Sequence, residues 1–133
     1  MNPYYASVAE RAGHRCEYCR APESIFNFNF EVDHIVPVAL DGTDDRSNLA
    51  LACPACNVYK SNWTVGTDIE THADAPLYHP RRDHWPDHFR VNPAGAMIEA
   101  LTAVGRVTVV RLQINHPVQL EARLLWVQLG LFP

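Results

Sequence analysis

The 133-residue sequence predicts a small α+β domain with a helical C-terminal part, and three observations predict it. Its length, with 47% apolar and 20% charged residues, fits one globular domain and excludes a disordered chain. Four cysteines fall in two pairs, Cys16-Glu17-Tyr18-Cys19 and Cys53-Pro54-Ala55-Cys56. Between the pairs the chain reads strand, loop, strand, and a helix starts within the second pair. Two such pairs suit structural zinc better than disulfides, because two short knuckles of thiolate sulfur close a tetrahedron and leave no open position. A single pair would equally suit a redox motif; two make that the lesser reading.

Residues 3–12 carry Tyr5, Val8 and Ala12 at helical spacing, with Pro3 in the first turn and Gly13 just past the end. The first cysteine pair follows, then a turn at Ala21-Pro22-Glu23-Ser24. Phe26, Phe28 and Phe30 alternate with Asn27 and Asn29, the period of a strand whose aromatic face covers a small core. Residues 31–38 continue extended, with Pro37 arguing against a central strand. A turn-rich loop at Asp41-Gly42-Thr43-Asp44-Asp45 leads to a short apolar segment, Asn48-Leu49-Ala50-Leu51-Ala52. Pro54, at the first helical position, opens a helix to about Asn62. Residues 63–95 are poor in periodicity and rich in Pro, His and Asp, which predicts a long irregular excursion. Thr102 caps a predicted helix over 103–114, although Val107, Thr108, Val109 and Val110 favour a strand by propensity. Pro117 opens a clearer helix to about Leu129, ended by Gly130, with Leu120, Leu124, Val127 and Leu131 on one face.

The net charge of −4 is a caution against strong non-specific DNA binding. Residues 1–60 hold five Lys/Arg against eight Asp/Glu, an excess that fits a cation site or a solvated surface. No apolar run approaches the ~18 residues of a membrane helix, and Met1-Asn2-Pro3-Tyr4 lacks the flank of a signal peptide. The expectation is a cytoplasmic protein with no membrane partner.

The chemistry-bearing residues lie between and just after the knuckles. Asp33 offers a hard oxygen ligand, and His34 beside it is the side chain best suited to take a proton near neutral pH. Asn57 and Lys60 are three apart on a helix, so an amide oxygen and an ammonium share a face and can meet one phosphate. Adjacent residues of a strand point to opposite faces, so Asp33 and His34 converge only if the strand ends or bends near Pro37. Arg81-Arg82 is the densest basic pair and a candidate phosphate contact, or else a surface charge pair. His79, His84 and His88 could form a second metal site, though scattered loop histidines are more often merely solvated.

This arrangement resembles the HNH endonucleases, the ββα-metal nucleases, and more narrowly their small stand-alone bacterial members. The family pattern is C-x-x-C, D-H-I-x-P, a glycine loop, N-L, then C-x-x-C-N-x-x-K, all present between Cys16 and Lys60. Residues 77–90, Gly105-Arg106 and Leu125-Trp126-Val127 also look like the tail of those members. The resemblance implies a zinc-stapled ββα-metal nuclease core over residues 1–62, with residues 63–133 an excursion and C-terminal extension packed on it as part of one domain. It implies that Asp33 and Asn57 bind a catalytic Mg²⁺, Mn²⁺ or other divalent cation, and that His34 is the general base. Asn48 would brace the loop and orient His34, Lys60 would serve catalysis and DNA contact, and Cys16, Cys19, Cys53 and Cys56 would hold structural zinc. Two positions depart from the pattern: Asp41-Gly42 replaces a pair of glycines, and Asn57 stands where the last motif histidine falls.

The expected activity is metal-dependent hydrolysis of DNA phosphodiester bonds, with double-stranded DNA the expected partner. The reading from another class is a non-catalytic zinc module that binds nucleic acid or protein. Such a module has no need of Asp33, His34 and Asn57 together.

Overall fold

In the computed structural model, which describes residues 2–133, a turn at Pro3 and Tyr4 leads into helix α1 (Tyr5–Arg11). Val8 and Ala9 are its buried residues, while Tyr5 and Ala12 are half-buried. Gly13 ends the helix with φ +63°, the left-handed conformation that glycine adopts without a Cβ penalty. The first knuckle follows, buried to a few per cent exposure at Cys16, Tyr18 and Cys19.

The Phe26, Phe28 and Phe30 alternation does not form a strand. The chain makes a single 3-10 turn at Glu23–Ile25 and then bends. Phe26 instead sits edge-on to Phe28, Phe30 and Trp126, with centroids 5.7, 4.9 and 6.2 Å apart. The Glu23 carboxylate explains the bend, because it accepts the Phe30 N–H at 2.6 Å and so takes a donor that a strand partner would need.

Strand β1 (Glu31–His34) pairs antiparallel with β2 (Leu49–Ala52), Glu31 opposite Ala52 and His34 opposite Leu49. All four β2 residues are buried, which explains an unbroken apolar segment in so short a strand. Helix α2 (Pro54–Lys60) packs on both strands and ends two residues before the expected Asn62. Ser61 stops it, with φ 48° and ψ −129°. This ββα unit with its knuckles is a mixed α/β arrangement compatible with a zinc-stapled HNH core.

The stretch 63–95 carries more regular structure than its composition predicts. Strands β3 (Val65–Thr67) and β4 (Asp74–Pro76) form a hairpin, and α3 (Trp85–His88) leads into β5 (Phe89–Val91), which pairs with β6 (Ile98–Ala100). Three-residue strands are too short to register as periodicity in a sequence. Their stability comes from helix α4 (Ala103–Arg111), which packs on β3, β4 and β6.

The Thr102 hydroxyl caps α4 by accepting the Gly105 N–H at 3.1 Å, so the helix prevails over the β-branched run inside it. A Cβ at Gly105 would lie 2.3 Å from the His88 carbonyl oxygen, so only glycine lets α4 approach the end of α3 this closely. Helix α5 (Pro117–Gln128) forms as expected, but Leu124 and Leu131 are exposed. The residue it buries is Arg123. Among the described residues no helix is long and apolar enough to cross a membrane.

Candidate functional site

The four cysteine sulfurs lie within 4.8 Å of one another, all buried and none in a disulfide. Cys19 and Cys53 Sγ are 3.7 Å apart. Four thiolates at a Zn–S distance of about 2.3 Å would stand about 3.8 Å apart along each edge of a tetrahedron, so the cluster fits zinc. The backbone helps, since Cys53 Sγ accepts the Cys56 N–H at 3.5 Å as α2 begins. Crowding drives the titrations apart: hydrogen bonds from the other sulfurs hold the Cys19 thiol low and push Cys53 and Cys56 up. Four thiolates coexist here only around a cation.

Strand β1 ends at His34 and the chain bends at residues 35 and 36. Asp33 and His34 therefore both border one open hollow of about 370 Å³, which Asn57 and Ser61 also line. The His34 ring donates its Nε2–H to Asp44 Oδ1 at 2.7 Å, which leaves Nδ1 as its unpaired nitrogen. Asn48 is buried and holds the intervening loop at three points. Its Oδ1 accepts the Val36 N–H at 2.8 Å, and its Nδ2 donates to the Val36 and Thr43 carbonyls at 3.0 and 2.8 Å. Asp41 takes the left-handed φ of 66°, while a Cβ at Gly42 would fall 1.7 Å from the Val36 carbonyl oxygen. The loop thus tolerates aspartate at its first position and requires glycine at its second.

Residues 16–62 match the HNH endonuclease family model. No curated protein and no solved structure gives a match.

Within this matched segment, Lys60 does not face solvent beside Asn57. It is 1% exposed, and its Nζ lies 3.3 and 3.4 Å from the two Asp33 carboxylate oxygens and donates to the His34 carbonyl at 3.2 Å. The Tyr18 hydroxyl donates to Asp33 Oδ2 at 2.7 Å. Burial pushes the Asp33 carboxyl above its ordinary value, opposed by Lys60 and Tyr18. Lys60 is thus a buried partner of Asp33 rather than an exposed phosphate contact.

Outside the segment, Arg81 turns inward to pair with Glu17, and burial pulls its guanidinium down to about 10. Glu17 in turn accepts the Leu51 N–H at 2.8 Å, so Arg81 ties the extension to the first knuckle and β2. Arg82 is exposed. The three tail histidines do not converge. His84 stands beside Asp87, His88 bonds Thr102, and His79 accepts the Arg81 N–H. Among the described residues, only the four cysteines form a metal-binding group of three or more His, Cys, Asp and Glu.

The sequence reading missed three residues. Asp44, ten positions from His34, read as one more loop acid. Tyr18, between the knuckle cysteines, was given no role. Arg123 was given no role either, yet it borders a small hollow with Cys19, Cys53 and Cys56. It donates to the Ala96 and Ile114 carbonyls at 2.9 and 2.7 Å, while its Nε is buried without a partner. A basic residue in an otherwise apolar helix segment was the available signal.

Proposed function

We propose that the chain is a metal-dependent endonuclease that hydrolyses DNA phosphodiester bonds in the cytoplasm, with residues 1–62 as nuclease core and 63–133 as an extension packed on it. The observation that carries this reading is that Asp33, His34 and Asn57 border one hollow while Asp44 fixes the His34 ring. With Nε2–H donated to Asp44, Nδ1 is the nitrogen that accepts a proton from an attacking water. Asn48 holds the loop between His34 and Asp44 in the shape that this pairing needs. Asp33 and Asn57 supply the oxygen donors that a Mg²⁺ or Mn²⁺ ion prefers, and that ion would neutralise phosphate charge and stabilise the leaving oxygen. Asp33 keeps coordinating capacity because its two oxygens carry about four lone-pair sites, and Tyr18 and Lys60 together do not fill them.

The rival, a non-catalytic zinc module that binds nucleic acid or protein, has one observation in its favour: Asp33 is already buried against Lys60 and Tyr18. Incubation of purified protein with plasmid DNA under Mg²⁺, Mn²⁺ or EDTA separates the two. The nuclease reading expects divalent-dependent cleavage that falls roughly 10²–10⁴-fold in His34→Ala with zinc retained. Asp44→Asn should lower kcat by about 10-fold with KM unchanged, since Asp44 acts only through the imidazole. Binding without cleavage under every metal, or a His34→Ala protein that cuts at the wild-type rate, overturns the assignment.

A further inference from the structure

Past the turn at Ser61 and Asn62, Trp63 leaves the hollow and lies beside α4. There a groove of about 800 Å³ opens, lined at one end by Ser61 and Asn62, which also border the His34 hollow. The groove continues past Trp63 to Val107, Val110 and Arg111 on α4. It therefore adjoins, across Ser61 and Asn62, the site that would hold the scissile phosphate.

Three features give this groove a chemistry. Trp63 is 50% exposed, which leaves a large indole surface unburied at the groove. The Arg111 guanidinium lies over the indole, 4.0 Å from the ring centroid. Arg81, Arg90 and Arg106 pair with carboxylates and Arg123 with carbonyls, whereas Arg111 has no such partner among the described residues. Its Nε is moreover buried without a hydrogen-bond partner. The one acid lining the groove, Asp74, accepts the Thr67 hydroxyl at 2.9 Å at the β3–β4 side. An aromatic plane beside an unpaired, stacked guanidinium suits a nucleotide. Any base offers a flat face to the exposed indole surface that Arg111 does not cover, and its phosphate supplies the anion that Arg111 lacks.

We propose that this groove holds one unstacked nucleotide of the DNA next to the bond cleaved at His34, its base on Trp63 and its phosphate against Arg111. The inference rests on the nuclease reading and narrows its substrate. A continuous duplex reaches the groove only by unstacking a base, so DNA with an unpaired nucleotide near the cut is the favoured form: a gap, a frayed end or a single strand.

The test uses the full zinc-loaded chain with His34→Ala and two fluorescein-labelled DNAs, a continuous duplex and the same duplex with a short single-stranded gap. The gapped DNA is expected to bind more tightly. Adding Trp63→Ala or Arg111→Ala should remove roughly 5- to 50-fold of gapped-DNA affinity and leave duplex affinity unchanged. Trp63→Phe should keep most of the gapped-DNA affinity. Val110→Asp, which places a carboxylate in the groove beside the stacked pair, should weaken gapped-DNA binding as well. Zinc content and far-UV circular dichroism check that each variant is folded. Equal losses on both DNAs, or no loss on either, overturn the inference. Plasmid cleavage by the protein bearing His34 separates it from the nuclease reading. A chain that cuts DNA while its groove variants bind the gap normally loses only this inference. A chain that never cuts yet binds the gap through Trp63 and Arg111 keeps the groove as a nucleotide site, and overturns the nuclease reading together with the placement beside a cleaved bond.

Discussion

Lys60 and Asp33 show how a single buried pair links the zinc half of the core to the hollow. Asp33 sits at the end of β1 with both oxygens engaged, by Tyr18 from the first knuckle and by Lys60 from α2. Removing one member of a buried ion pair leaves an uncompensated charge, so Lys60→Met should destabilise the zinc-loaded protein by roughly 3–5 kcal/mol. The double change Asp33→Asn with Lys60→Met should lose less than Lys60→Met alone, because no bare charge remains. Urea unfolding of the three variants measures this, and a Lys60→Met protein as stable as wild type would show the pair to be idle. Helical spacing from Asn57 put Lys60 on a defined face of α2, but spacing alone cannot say which face meets a carboxylate 27 residues upstream. Glu23 makes a pH prediction. Burial opposes its ionised form, yet the Phe30 N–H, His14 and the Tyr5 hydroxyl outweigh that and hold the carboxyl below its ordinary 4.5. The unfolded chain therefore takes up the proton first, and the stabilisation, fully present above that value, is lost as pH falls through the folded-state pKa. Glu23→Gln should be less stable than wild type at neutral pH, with the difference shrinking on acidification, as chemical denaturation at several pH values would show.

The elements differ in how well local signals specify them. The knuckles, β2 and α2 were readable because each carries its own marker: paired cysteines, an unbroken apolar run, and Pro54 at a first helical position. The phenylalanine stripe misled because Phe28 and Phe30 pack on Phe26, which alone of the three meets Trp126, and the backbone donor of Phe30 went to Glu23. The α5 face was misread for a related reason. An apolar side-chain count favoured Leu124, whereas the helix is oriented by Arg123, which reaches under it to backbone carbonyls and the cysteine hollow. Four thiolates around zinc carry a net charge of about −2, and a buried guanidinium beside them offsets part of it. Arg123→Met should therefore release zinc to a chelator roughly 10- to 100-fold faster than wild type. Arg123→Lys should recover only part of this, since one ammonium cannot reach both sets of carbonyls. Absorbance of a zinc indicator dye reads the rate directly, and unchanged release from Arg123→Met would confine the residue to packing. The tail residues that resembled other stand-alone members fit the same picture. Gly105 permits the approach to the His88 carbonyl, and the Arg106 guanidinium forks onto both oxygens of buried Asp68 at 2.8 and 2.9 Å.

Across the whole molecule, charge is the property that the sequence stated most plainly and whose placement it hid. The chain is acidic by four, and the structure commits most of its cations inward or to partners. Lys60 meets Asp33, Arg81 meets Glu17, Arg90 meets Glu99, Arg106 meets Asp68, and Arg11, Arg15 and Arg123 meet carbonyls. Arg46 and Arg82 remain exposed, and Arg111 stands unpaired over Trp63. Basic residues counted along the chain therefore overstate what a polyanion can meet, and the Arg81-Arg82 pair divides into one structural and one surface residue. Arg82→Ala should weaken DNA binding while leaving stability unchanged. Arg81→Ala should do the reverse, because Glu17 would keep a half-buried charge without its partner. With so few phosphate contacts, log K should fall with log salt at a shallow slope of about −2 to −4. A divalent cation at Asp33 and Asn57 would then carry much of the attraction, since the phosphate completes its coordination. Titration of labelled DNA into the His34→Ala protein across a salt series, with Mg²⁺ and with EDTA, tests the salt and metal expectations together, and the same titration with urea unfolding of Arg81→Ala and Arg82→Ala tests the first. Tighter binding with Mg²⁺ and a shallow slope are expected. Equal affinity in both buffers, or a slope as steep as that of a broadly basic binder, would mean that DNA approaches by a surface other than the hollow and its groove.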